Sequence, residues 1–176
     1  MIAGIYNNVQ IDVTGKIIAV GNQDYILSQE NGQVSFFNIA TGTVIPITTA
    51  GDGSSNFVHI NPTTVLSLAN NFDNGGSNNG SLTYKGQRTS TFCIGATVSY
   101  KPFTANDTFV FALAKNGTIV SGSKTASNLA ILGDLNTISI VSLMELTLND
   151  TITLMVSNYT SADDLSVFAL NIIAHG

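Results

Sequence analysis

Leu165-Ser-Val-Phe-Ala-Leu-Asn-Ile-Ile-Ala174 reads as a strand that is apolar on both of its faces. Successive strand side chains point to opposite sides. Strict alternation therefore puts Leu165, Val167, Ala169 and Ile173 on one face and Phe168, Leu170 and Ile172 on the other. A strand with one wet face alternates apolar with polar residues; one that is apolar on both must be covered twice. In an antiparallel domain the first cover is a facing sheet. The second cover is read here as another copy of the chain.

A second stretch repeats this pattern. In Phe109-Val-Phe-Ala-Leu-Ala114 the large side chains Phe109, Phe111 and Leu113 share one parity, and the small ones Val110, Ala112 and Ala114 share the other. The large set is expected in the core and the small, flat set against a neighbouring subunit. The expected subunit interface is therefore Val110, Ala112, Ala114, Leu165, Val167, Ala169 and Ile173. Three copies of two such strands would bury more than roughly 2,000 Å², the scale of an obligate interface.

The period of two runs along most of the chain. Strands are expected over 9–14, 16–20, 33–38, 43–48, 57–61, 63–69, 82–85, 89–101, 108–116, 118–122, 137–148, 151–159 and 165–175. Only Asn61-Pro-Thr-Thr-Val-Leu-Ser-Leu-Ala-Asn70 carries a competing helical reading, and its Val and Thr content suits a strand as well. Asn31-Gly32, Asn79-Gly80 and Asn116-Gly117 are dipeptides that tolerate positive φ at tight corners, and Asn149-Asp150 is expected to close a further hairpin. Short strands at roughly eight-to-twelve-residue spacing indicate an all-β antiparallel sandwich or barrel.

Ala50-Gly-Asp-Gly-Ser-Ser-Asn56 has the composition of a flexible joint. It divides the chain into a β-rich N-terminal module (1–50), a joint (51–56) and a larger domain (57–176). About fifty residues is near the lower limit for an independent core. The module is therefore expected to lean on the main domain, on copies of itself or on a larger partner.

Of the 176 residues, 10% are charged, well under the usual quarter. Asn, Ser and Thr replace them and make up about a third of the chain. The six basic residues are scattered, so the basic stripe needed for nucleic acid is missing. No apolar run reaches the roughly 18 residues that span a bilayer. No basic segment followed by an apolar block opens the sequence, and no signal peptide is expected.

Chemistry-bearing residues are sparse. His59 lies in Phe57-Val-His-Ile-Asn61 on the parity of Phe57 and Asn61, the side expected to face solvent, and no nucleophile elbow accompanies it. His175 is the penultimate residue. Cys93, within Thr91-Phe-Cys-Ile-Gly95, is expected as a small buried hydrophobe. Asp163-Asp164 is the only adjacent acidic pair and makes a poor cation cage. Glu145 is expected to be exposed near a strand end. No catalytic residue, cofactor site or metal site is expected, and the protein is read as non-enzymatic.

Gly80-Ser-Leu-Thr-Tyr-Lys-Gly-Gln-Arg-Thr-Ser-Thr-Phe92 runs into a long strand ending Val98-Ser-Tyr-Lys101. Leu146-Thr-Leu-Asn-Asp-Thr-Ile-Thr-Leu-Met-Val-Ser-Asn158 then leads through a short acidic turn to the terminal strand. This order, over about two-thirds of the chain, resembles the C-terminal domains of tailed-phage head fibres, tail fibres and other virion appendages. It is similar in plan to tumour-necrosis-factor heads, which are jelly rolls forming tight trimers with the last strand near the threefold axis. Where many relatives have Gly-Asp this chain has Asn149-Asp150. The resemblance implies a tumour-necrosis-factor-like jelly roll, a homotrimer and a place on a virion. It further implies attachment to another virion protein through the N-terminal segment and contact with a host surface glycan or protein through the head. A single jelly-roll capsid protein, or a cellular adhesin or lectin head, are the alternatives. The first normally carries a longer, often basic arm and the second a secretion signal.

Overall fold

The computed structural model describes the backbone of residues 2–6, 9–12 and 17–20 and the whole of residues 30–176. In chain order the strands are β1 (Ile2–Tyr6), β2 (Val9–Asp12), β3 (Ile17–Val20), β4 (Asn31–Phe37), β5 (Thr43–Ile45), β6 (Val58–His59), β7 (Val65–Asn70) and β8 (Phe72–Asp73). They continue with β9 (Ser81–Tyr84), β10 (Ser90–Pro102), β11 (Thr108–Lys115), β12 (Thr118–Ile119), β13 (Thr125–Asn128), β14 (Asn136–Leu146), β15 (Thr151–Asn158) and β16 (Leu165–His175). A 3-10 turn at Ser121–Ser123 interrupts them. The expectation of an all-β antiparallel sandwich holds. A front sheet runs β14-β10-β16-β4-β7, with β5 beside β16, and a back sheet runs β12-β11-β15-β9-β8, with β13 beside β11 and β6 beside β15. β1, β2 and β3 form a separate meander.

The core lies between the two sheets. Phe109, Phe111 and Leu113 point into it with no exposed surface, as their parity requires. Two aromatic clusters pin opposite ends of the sandwich. Phe72, Tyr84 and Phe92 stack with ring centroids 4.9 to 5.2 Å apart, and Tyr100 sits 4.9 Å from Phe111 and 5.6 Å from Phe109. Edge-to-face pairs of this kind add about 0.5–1.5 kcal/mol each beyond the area they bury.

The turn chemistry works as read at one of the four corners; Asn79-Gly80 ends the long 74–80 loop between β8 and β9, with only Gly80 of the pair at positive φ (77°), instead of making a tight corner. Asn116 and Gly117 both have positive φ (52° and 77°) and join β11 to β12, whose pairing Lys115↔Thr118 closes a two-residue hairpin. Asn149 (φ 70°) closes no hairpin: β14 pairs with β10, while β15 pairs with β11, β9 and β6, so residues 147–150 carry the chain from one sheet to the other. The Asp150 carboxylate holds that crossing by accepting the Thr147 N–H at 2.8 Å and the Asn116 amide at 2.6 Å, with the Lys115 ammonium 3.2 Å away. Asn31-Gly32 is not a corner either. It starts β4, and glycine is needed because a Cβ there would lie 2.5 Å from that of Phe72.

The division at residue 50 does not separate two units. β4 pairs with β16 from Phe37↔Ala169 to His175↔Asn31, and β5 pairs with β16 at Leu165↔Ile45. The head therefore includes residues 31–47, because the terminal strand needs a hydrogen-bonded neighbour on its second edge and these strands supply it. Residues 51–56 are not a free joint. Gly51 N–H donates to Asn158 O (2.7 Å), Ser157 Oγ to Ser55 O (3.1 Å) and Lys124 Nζ to Gly53 O (2.8 Å), while Asp52 caps the Ser54 and Ser55 amides. The segment is a strap fixed across the end of β15. Within the expected N-terminal module, most of residues 1–29 lies outside the described residues or is described by backbone alone.

Candidate assembly face

The seven expected interface residues do not share a surface. Leu165 and Val167 are fully buried and belong to the core with Leu170, Ile172 and Ala174. The register explains why. Ser99 pairs with Ala169 but Tyr100 pairs with Val167, so Phe168 is an inserted residue, a β-bulge that reverses the parity of everything before it. The bulged Phe168 ring lies under Lys101 (Nζ 5.3 Å from the centroid) and against Gly42, where a Cβ would come 3.1 Å from it. Only Ala169 and Ile173 of the terminal-strand set face outward. Ala112 and Ala114 are also fully buried, and Val110 is half-buried beneath the strap, near Gly53. The chain covers the outer side of the back sheet at β11 itself, so no second subunit can reach these alanines.

The outer side of the front sheet is different. Its strand pairings line the outward side chains up in rows, with one irregularity where Ser67 bulges from β7 between the second and third rows. The first row is Leu143, Cys93, His175, Asn31 and Asn70. The second is Val141, Gly95, Ile173, Gln33 and Leu68. The third is Ser139, Thr97, Asn171, Ser35 and Val65, and the fourth Thr137, Ser99, Ala169 and Phe37. None of these residues is Asp, Glu, Lys or Arg. Val141, Leu143, Ile173, Leu68, Val65 and Phe37 are exposed.

Six polar members of the face are hydrogen-bonded in cross-strand pairs. Thr97 and Ser139 hydroxyls are 3.1 Å apart, Ser99 and Thr137 hydroxyls 2.7 Å apart, and Gln33 Nε2 donates to Asn171 Oδ1 at 2.8 Å. Such internally satisfied pairs can be covered without stranding a donor. Gly95 flattens the middle, because a Cβ there would come within 3.1 Å of Ile173 Cγ1. The result is a broad face that is uncharged along its four rows, with Lys101 and Glu145 at its ends.

Cys93 is exposed on this face rather than buried, since its neighbours Phe92 and Ile94 take the core positions. Val141 and Leu143 carried a readable signal at the sequence level: an alternating strand, Thr137 to Glu145, with apolar residues on the parity opposite to Ile138, Ile140 and Met144.

Titratable groups sit at the margins. Burial holds the His59 ring below its ordinary value, partly offset by a hydrogen bond to the Gly80 backbone, and its Nε2 meets no hydrogen-bond partner. His59 pairs across from Met155 on the outer side of the back sheet. Tyr84 is pushed up to about 12, first by burial and then by the Glu30 carboxylate that accepts its hydroxyl proton at 2.7 Å. Burial opposes ionisation of Asp150, but the Thr147 N–H, Asn116 and Lys115 outweigh it and hold the carboxyl at about 2. Glu145 is exposed, as expected. Phe72 is a core residue, while Tyr159 is exposed beside the strap. Among the described residues no three His, Cys, Asp or Glu side chains gather as a metal site would require.

No protein-family model matches the chain, and no curated protein matches it in sequence. Solved structures do. The chain is similar to Eiger TNF from S. frugiperda, with 10% identity and a TM-score of 0.52 over 85% of this chain and 93% of that one. It is similar to murine APRIL at pH 8.0, with 11% identity and a TM-score of 0.45 over 84% and 100% of the two chains. It is also similar to PRD1 vertex protein P5, with 12% identity and a TM-score of 0.49 over 84% and 96%. At these identities the likeness is one of fold: the described sandwich is a tumour-necrosis-factor-like jelly roll.

Proposed function

We propose that the protein is a homotrimeric, non-enzymatic appendage of a phage particle, in which the outer side of the front sheet faces the sister copies. The observation that carries the assembly is the face itself. It presents four cross-strand rows without Asp, Glu, Lys or Arg, six of its polar side chains are hydrogen-bonded in pairs, and it is apolar at its middle and margins. Left in water it would keep Phe37, Val65, Leu68, Val141, Leu143 and Ile173 exposed on one side of one sheet, and clustered exposed apolar residues mark protein contacts. The jelly-roll fold agrees with the plan implied by the sequence stretches 80–101 and 146–158.

Chain direction supports the orientation on a particle. Glu30, where residues 1–29 join the head, lies at the end of the sandwich that also holds His175, since Gly176 N–H donates to Glu30 O at 3.0 Å. The β10–β11, β13–β14 and β15–β16 loops lie at the opposite end, beside Pro102, Asn136 and Leu165. In this reading the N-terminal segment docks on another virion protein and those loops are presented outward to a host surface glycan or protein.

Two measurements test the reading. Light scattering of the purified chain should give a trimer that persists on dilution; a monomer would overturn the assembly. Antibody against the head should decorate intact particles at discrete positions in electron micrographs; particles that carry none would overturn the placement.

A further inference from the structure

Two features at opposite edges of the front sheet find no partner among the described residues. At the β14 edge, residues 130–135 are all exposed, and Ala130, Ile131, Leu132 and Leu135 are apolar; Ile131 is 63% exposed. A run of exposed apolar residues is a defect unless something covers it. Gly133 turns the tip at φ 92° with open space around it. At the β7 edge lies an open groove of about 630 Å³, lined by Phe36, Phe37, Ile39, Ala40, Thr63 and Val65 among others. It exists because β7 stops pairing at Val65, opposite Ser35, while β4 runs on to Phe37. Phe37 is 76% exposed there.

The two features stand at the same height. Phe37, Ala169, Ser99 and Thr137 share one row, so the groove begins at the level where the apolar loop enters β14. Both lie toward the end of the sandwich away from Glu30. A closed ring of identical subunits is heterologous, with one edge of each copy meeting the other edge of the next. Neither feature contains Lys, Arg or Glu, and the loop's one charge is Asp134. An apolar protrusion at one edge and an uncharged slot lined by Phe36, Phe37, Ile39 and Val65, with Ser35, Asn38 and Thr63 among them, therefore match in height and in their placement at opposite edges.

We propose that the occupant of the groove is a second copy of this chain: loop 130–135 of one protomer seats against Phe37, Ile39 and Val65 of the next. The contact rests on the trimeric reading and adds the element that closes the ring. It extends the outer face of the front sheet sideways, toward the roughly 800 Å² per partner of a stable interface.

The full chain carrying Cys93→Ser, Val65→Cys and Leu132→Cys tests it with a short bismaleimide. Covalent trimers on a denaturing gel are expected, with none from either single-cysteine version. Separately, Ile131→Asp with Leu132→Asp should raise the concentration at which the trimer dissociates by roughly 100-fold or more, where tenfold corresponds to about 1.4 kcal/mol. Both residues are exposed, so the protomer's own unfolding should be unchanged. A trimer by light scattering that gives no 65–132 cross-link and ignores the aspartates overturns this contact and leaves the trimer standing. A monomer at all concentrations removes the trimer itself. Flotation of the wild-type chain with phosphatidylcholine vesicles, lost in the aspartate variant, would assign the loop to lipid and overturn the contact as well.

Discussion

Val141→Asp combined with Leu143→Asp separates assembly from folding. Val141 is 68% exposed and Leu143 71% exposed in the protomer, so neither contributes much to its core. Substitutions at such surface positions usually change stability by no more than about 0.5 kcal/mol. Complete burial of an aliphatic side chain is worth about 1.5–3 kcal/mol. Roughly 70% of that remains available to a partner, or about 1–2 kcal/mol per side chain and about 2–4 kcal/mol per protomer. Over three protomers the loss is about 6–12 kcal/mol, before any cost of burying carboxylates. At about 1.4 kcal/mol per factor of ten, the trimer dissociation constant should rise by at least about four powers of ten. Light scattering across a dilution series reads the mass, and circular dichroism melting checks that the protomer still folds. A double variant that melts like wild type and stays trimeric on dilution would refute the assignment of this face.

The remaining predictions concern the head itself. Its stability should fall with acid in two windows. His59 is held neutral by burial, so stability is present above its ordinary value near 6.5 and declines as pH drops below it. His59→Gln should flatten that window in a melting-temperature profile. Asp150 is ionised in the fold down to about 2, so a second decline should run from its ordinary value of 3.8 downward and vanish in Asp150→Asn. The sign reverses at high pH. Tyr84 stays protonated to about 12, so stability is present below pH 10 and is lost as pH rises through that interval. Glu30→Gln should bring the Tyr84 titration down when followed by ultraviolet absorbance. Gly32→Ala forces a Cβ to within 2.5 Å of Phe72 Cβ; by overpacking it should cost about 1–3 kcal/mol or more in urea unfolding. Asn158 is fully buried and its amide faces Asp107 Oδ2, Ser161 Oγ and the Asp163 carbonyl at 2.9 to 3.0 Å. Asn158→Ala strands these acceptors and should destabilise by about 2–4 kcal/mol in the same assay.

Most strand positions were legible because burial on one face writes itself as a period of two. Thr137 to Leu146, Phe92 to Tyr100 and Phe109 to Leu113 all show it. β13, Thr-Ala-Ser-Asn, was illegible because it contributes no large side chain and its strand pairing is with β11 alone. The interface residues failed for two physical reasons. Alternation says nothing of a bulge, and one extra residue at Phe168 sends Leu165 and Val167 to the core. Small residues on an outer face fit a neighbour's surface and a strap of the same chain equally well, and at Ala112 and Ala114 the chain provides the cover. The strap itself was misread because Gly51-Asp-Gly-Ser-Ser55 has a linker's composition, whereas Asp52 and the backbone of 51–55 are hydrogen-bonded in place. The division at residue 50 failed with it: a short strand cannot announce that its partner lies more than a hundred residues away, as Val34 and Ile172 do.

The most direct test of the account is the mass of the intact chain at nanomolar concentration, where weak association is lost. A face that is covered by sister copies gives a particle of about 55 kDa, three times the 18.4 kDa chain. A homogeneous species of 18.4 kDa with Val141, Leu143 and Ile173 still open to solvent would contradict it.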